Sequence, residues 1–168
     1  MRAALHRLYR WSGLLSAASL VLICGLIMAQ IVARNLGSTV RDADEFAAWA
    51  MAAAGFLGLP YALHCGSHIR VSLVARFVPE SLHRGMEVLA TVIALVLSGY
   101  LAGYVAIFVY ESWRFNELSQ GLVPVPLWIP QLPMVLGSAL LTVAFLERLD
   151  CVLRGQTFEV GDGSEKFE

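Results

Sequence analysis

Two histidines four residues apart, His64 and His68, come nearest to a metal-ligand spacing in this chain. On a continuing helix they share one face, as the ligands of a metal or a haem iron can. Such a centre needs further ligands from a second element. Only His6 and His83 remain, and both stand in charged flanks. The plainer chemistry is a pair of polar side chains at a helix end, with Arg70 two residues further on. A second cluster is acidic: Asp42, Asp44 and Glu45 crowd the start of a long apolar run, and Arg34 precedes them. Carboxylates in the first turn of a helix are stabilised by its macrodipole. Glu45 reads either as a helix-end carboxylate with its own partner or as a contact for another subunit. Cys24, Cys65 and Cys151 are widely spaced and read as small apolar fillers. No hydrolase, kinase or dinucleotide motif is evident, so the chain is not expected to be an enzyme.

The elements that must position these residues are membrane helices. Apolar residues make up 58% of the 168 positions and charged ones only 15%, against roughly 45–50% apolar in soluble domains. The charges cluster between long apolar runs, which is the pattern of spanning segments. Trp11 to Ala33 carries no charge and is too long for the apolar core of a signal peptide. Phe46 to Leu63 is also free of charge and approaches the thickness of a bilayer core, roughly 30 Å. Further spans are expected near 86–110 and 127–146, the last with Pro130 and Pro133 in its first turns, where proline is tolerated best. The predicted fold is therefore an all-α integral membrane protein with four transmembrane helices. Its domain covers 1–153, with spans near 11–33, 46–65, 86–110 and 127–146. A short amphipathic cytoplasmic segment is expected between the second and third spans, from about Ser67 to Gly85 and broken at Pro79. Residues 154–168 read as a polar, disordered cytoplasmic tail.

Small residues should let these helices approach closely. Ala50, Ala54 and Gly58 recur at four-residue spacing, as do Ala47, Met51 and Gly55. Gly99 and Gly103 form a GxxxG pair in the third span. Glu111 to Val125 reads as a surface loop with one short helical turn. Trp113, Phe115 and Trp128 suit an interfacial aromatic belt. Arginine and lysine are distributed unequally: nine lie at the two termini and in the second connection, three in the other two connections. The positive-inside rule then puts both termini in the cytoplasm.

No span carries Asp, Glu, Lys, Arg or His near its middle, whereas ion and proton pathways usually place such groups there. That argues against a self-sufficient small transporter acting as a homodimer. A haem-binding anchor of a redox complex would need histidines facing one another at membrane depth, and their positions argue against that too. Nucleic acid has no basic surface to bind.

The order of these features resembles the small membrane subunit (Q subunit, DctQ-like) of the tripartite ATP-independent periplasmic (TRAP) transporters. Arg34 ends the first helix, Asp44–Glu45 opens the second, and Trp49 follows one turn later. A small-residue run leads to Gly55, then GLPYALHCGSHIRVSL, and SQGLVPVPLWIPQLPMVLG is similar late in the chain. Ser72 stands where the family pattern suggests an acidic residue, and Asp44 replaces a glutamate. The resemblance spans roughly Ala4 to Leu153. It implies a bacterial inner-membrane protein that braces a large membrane subunit and contributes to docking of a periplasmic substrate-binding protein. It further implies that sodium coupling belongs to the large subunit and that this chain holds no cofactor. Arg34 is expected to pair with the Asp44–Glu45 carboxylates, and Asp42 to be the more solvated acid.

Overall fold

A computed structural model describes residues 2–65 and 80–154 of the chain. They form four helices: α1 (Arg2–Asn35), α2 (Ala43–His64), α3 (Glu80–Arg114) and α4 (Trp128–Leu153). All four are long and apolar enough to cross a membrane. Among the described residues there is no strand, only an isolated bridge between Leu118 and Pro126. The protein is thus an all-α membrane protein of four spans. His68, Arg70, the amphipathic segment as far as Pro79 and the tail from residue 155 lie outside the described residues. Glu80–Gly85, expected to belong to that segment, are instead helical and continuous with α3. Polar residues such as Glu, Arg and Leu-flanked His can prolong a helix beyond the hydrocarbon, where water satisfies what the membrane cannot.

Two helices end in the same way. After α1, Gly37 adopts φ 73°; its amide donates to the Arg34 carbonyl at 3.2 Å and the Ser38 amide to Ala33 at 2.9 Å. After α3, Asn116 adopts φ 49°; its amide donates to Trp113 at 3.3 Å and the Glu117 amide to Ser112 at 3.1 Å. Both are Schellman caps, with the left-handed position filled by residue types that tolerate it. The α3–α4 connection is more ordered than a plain surface loop. The Ser119 amide donates to Val125 and the Leu127 amide to Glu117, at 2.9 and 3.0 Å, and the Ser119 hydroxyl donates to the Val123 carbonyl at 3.0 Å. It is a small hairpin rather than a helical turn.

The packing order is α1 on α2, α2 on α4, and α4 on α3, so the helices follow one another as a row. At the α1–α2 seam, Gly13 lies under the Tyr61 ring, where a β-carbon would come 2.7 Å from Cγ. Gly58 faces Ser16, whose hydroxyl donates to the Ala54 carbonyl at 2.7 Å. Ala50 and Ala54 are buried, whereas Met51 of the companion stripe is exposed. Close approach matters here because lipid tails are as apolar as the side chains, and packing must replace the hydrophobic drive.

The α2–α4 seam depends on a proline and a glycine. Pro60 lies inside α2 and is buried; lacking an N–H, it leaves the Phe56 carbonyl without its usual helical donor. Gly137 of α4 packs directly against that carbonyl, and a β-carbon there would collide with the Phe56 backbone. The hydrogen in its place fits and can make a weak C–H···O contact. Nearer the opposite end, Tyr9, Leu63, Leu141, Ala144 and Phe145 form one buried cluster across α1, α2 and α4. α3 buries Thr91, Ser98, Val105 and Ser112, a seven-residue stripe suited to a shallow helix crossing. Every serine and threonine hydroxyl described in the spans is satisfied: Ser12, Ser19, Thr91, Ser98, Ser138 and Thr142 donate within their own helices, Ser16 donates to Ala54, and Ser112 donates to Glu117.

Candidate functional site

The end that carries the α1–α2 and α3–α4 connections gathers most of the expected acidic residues. Asp42 stands before α2 with φ 55° and makes no side-chain bond to its own helix. The left-handed backbone turns its carboxylate outward. Oδ1 accepts from the Leu122 amide at 2.9 Å and Oδ2 from the Val123 amide at 2.8 Å. Two successive backbone amides thus hold one carboxylate in charge-assisted bonds, which are stronger than neutral ones. The contact ties the first connection of the chain to its last. Asp42 is therefore not the solvated acid that its position suggested.

Gly121 makes the clamp possible. A β-carbon there would come 2.9 Å from Asp42 Oδ1 and would collide with Glu45 Oε2. Glu45 accordingly lies against the Gly121 backbone and is half-buried. Asp44 is exposed and accepts from the Gln30 side-chain amide at 2.8 Å. Arg34 is exposed and forms no ion pair among the described residues, where the pairs are Arg148–Glu87 and Arg154–Asp150. The expected pairing of Arg34 with Asp44 or Glu45 is not formed. Gln30, one turn earlier on α1, engages Asp44 instead, and Glu45 is turned toward the hairpin. Trp49 packs edge-on against Phe46 with ring centroids 5.0 Å apart.

This end also exposes apolar groups beside the charges. Leu36, Phe115 and Leu122 are largely open, next to Arg34, Arg41, Asp44, Glu111 and Arg114. Tyr110, Trp113 and Trp128 line one apolar groove between α3 and α4. The aromatic residues suit the headgroup level of a membrane.

At the opposite end the structure joins two histidines that sequence spacing did not pair. His64 is buried, and its Nε2 lies 2.9 Å from His6 Nδ1. The rings meet edge to face, 4.4 Å between centroids. The Tyr9 ring lies 5.3 Å from that of His64, and its hydroxyl donates to Glu147 Oε2 at 2.8 Å. The two histidines are thus a hydrogen-bonded pair inside a polar knot that staples α1 to α2 and α4. Among the described residues no three His, Cys, Asp or Glu side chains converge as a metal set would.

The remaining expected residues divide by partner. Ala54 and Gly58 line the α1–α2 seam. Gly99 faces α4, where a β-carbon would meet Thr142 at an ordinary 3.9 Å, and Gly103 faces open space. The GxxxG pair is therefore not a close contact within this chain. Sequence reasoning missed Asp42 as the clamp, and with it Gly121, Gly137 and His6. A glycine in the SQGLVPVP loop and another amid the apolar run of α4 were the visible signals.

No curated protein sequence matches the chain. The family model described as "Tripartite ATP-independent periplasmic transporters, DctQ component" matches residues 23–155, which include the C-terminal part of α1, all of α2, α3 and α4, and the clamp. By this match and by its four membrane helices, the chain belongs to the DctQ family, the small membrane component of TRAP transporters, and is a multi-pass protein of the bacterial inner membrane.

Proposed function

We propose that this chain braces the large membrane subunit of a TRAP transporter and offers part of the surface on which a periplasmic substrate-binding protein docks. Its own spans carry no solute. The observation behind this reading is the row of helices whose interior lacks any Asp, Glu, Lys, Arg or His at mid-span. A row exposes two broad flanks for another protein, and apolar centres make a poor ion path. Both termini are assigned to the cytoplasm, an orientation supported by the nine of twelve basic residues that lie on that side. The clamped end then faces the periplasm, where Arg34, Asp44, Glu45 and Trp49 contribute to the docking surface. Ala50, Ala54, Gly58 and Gly99 serve packing between helices. His64 serves the internal knot with His6 at the cytoplasmic end, and His68 and Arg70, further along the sequence, serve the cytoplasmic contacts. Sodium coupling and recognition of an organic acid or similar solute rest with the partners, and this chain needs no cofactor.

Reconstitution tests the proposal. Liposomes holding the large subunit, this chain and an added binding protein should take up solute when a sodium gradient is imposed. Omitting this chain should abolish uptake, and a cysteine at Ser38 should react with an impermeant reagent on the binding-protein side. Uptake by this chain alone, or undiminished uptake without it, would sink the reading.

A further inference from the structure

The outward face of α3 differs from that of α1 in a way that bears on what each face meets. On α1 the exposed residues at mid-depth are Leu20, Val21, Leu22, Cys24 and Ile27 with the open Gly25, and none carries a hydroxyl. The Ser19 hydroxyl on that helix is already bonded to the Leu15 carbonyl. Such a face is compatible with lipid tails. On α3, the face turned away from the buried Ser98–Val105 stripe holds Val96, Tyr100, Gly103, Tyr104 and Ile107. Tyr100 and Tyr104 are 64% and 58% exposed, with ring centroids 4.4 Å apart.

Tyr100 sits about midway along the Gly85–Arg114 span, about 20 Å from either end at 1.5 Å rise per residue. Its side chain cannot reach a headgroup from there. Tyrosines suited to lipid contact belong at the interface, where the ring is dry and the hydroxyl wet. In the hydrocarbon a phenol needs an acceptor, since no water supplies one. Neighbouring phenols can share at most one such bond, so one proton still needs an acceptor. All eight serine and threonine hydroxyls in the spans noted above have theirs within the protein. Gly103 lies between the tyrosines on the same face and opens onto empty space, which leaves room for another backbone to come close.

We infer that the Tyr100–Gly103–Tyr104 face of α3 seats one transmembrane helix of the large TRAP subunit, a helix that presents a hydrogen-bond acceptor at mid-depth. The acceptor is a polar side chain or a backbone carbonyl bared where that helix is interrupted. The inference rests on the bracing role proposed above and deepens it by naming the flank and the chemistry of the contact. The outer face of α1 is left to lipid.

The test uses the co-expressed complex, with a photo-reactive phenylalanine analogue placed at Tyr104 or, for comparison, at Val21. Irradiation should join Tyr104 to the large subunit, while Val21 should give no protein adduct. In the same complex, Tyr104→Phe should lower recovery of the large subunit about threefold, the size of an average interhelical hydrogen bond in a membrane. Gly103→Leu should lower it further, and both variants should still purify as folded chains. Capture of a second copy of this chain at Tyr104, capture of no protein there, or equal capture at Val21 would overturn the inference. Failure of the wild-type chain to co-purify with the large subunit would instead refute the bracing role itself.

Discussion

Replacing Asp42 by alanine is expected to destabilise the chain by about 2–4 kcal/mol, given two bonds from backbone amides to an ionised group. The effect comes from both sides of the clamp. The hairpin loses its anchor to the α1–α2 connection, and the Leu122 and Val123 amides lose their acceptors. Asp42→Asn separates acceptor chemistry from backbone shape. Asparagine also tolerates the left-handed conformation, but its NH2 would point at one of the two amides. It should therefore lose a large part of the stability despite its matching size. Asp42→Gly should fare better than alanine, because glycine accepts φ 55° without strain. Asp44→Asn should change little, since an exposed amide can still accept from Gln30. Thermal unfolding in detergent reads all four. Wild-type melting for Asp42→Asn, or a larger loss from Asp44→Asn, would show that the clamp does not carry the hairpin.

The second large effect is expected at Gly137. Adding a methyl group there drives it into the Phe56 backbone, which cannot rotate aside as a side chain can. Overpacking of this kind costs about 1–3 kcal/mol or more, and here it would separate α2 from α4. Gly58→Ala should cost less. Its obstacle is the Ser16 hydroxyl, which can turn away at the loss of one hydrogen bond, about 1 kcal/mol. Gly103→Ala in the isolated chain meets nothing and should be neutral or slightly stabilising, because alanine is the better helix former by about 1 kcal/mol. Measured by unfolding in detergent, the losses should rank Gly137, then Gly58, then Gly103. A Gly103→Ala variant as damaged as Gly137→Ala would contradict this packing order.

Much of the architecture was legible in the sequence because a membrane imposes few solutions. Charge-free runs of eighteen or more residues point to spanning helices, since a single segment satisfies its own backbone in lipid only as a helix. The Ala54–Gly58 stripe was legible for a related reason, as its spacing repeats along one helix. What sequence reading could not supply was selection among similar candidates. Asp42, Asp44 and Glu45 look interchangeable on paper. Their roles diverge through a left-handed φ and a contact some eighty residues away, and neither leaves a local mark. Gly99 and Gly103 announced themselves by motif, while the glycine that packs against backbone, Gly137, had no partner at regular spacing. Its cue lay on another helix, in the carbonyl that Pro60 leaves bare. His6 and His64 were dismissed separately because each is unremarkable until α1 folds back along α2.

The packing order also divides the chain into two units of assembly. α1 with α2, and α3 with α4, are hairpins joined by short connections, and each can form as soon as its second helix enters the membrane. Joining them is a separate event along the α2–α4 seam, fastened at one end by Asp42 on the hairpin amides and at the other by Tyr9 on Glu147. The covalent tether from α2 to α3 then raises the local concentration of one hairpin around the other, and the seam and its two fasteners define the register. A chain cut within that tether should still assemble from two co-expressed halves, whereas a cut inside either hairpin should not. If the halves cut at the tether failed to co-purify, the fasteners would be too weak to hold the seam without a covalent link.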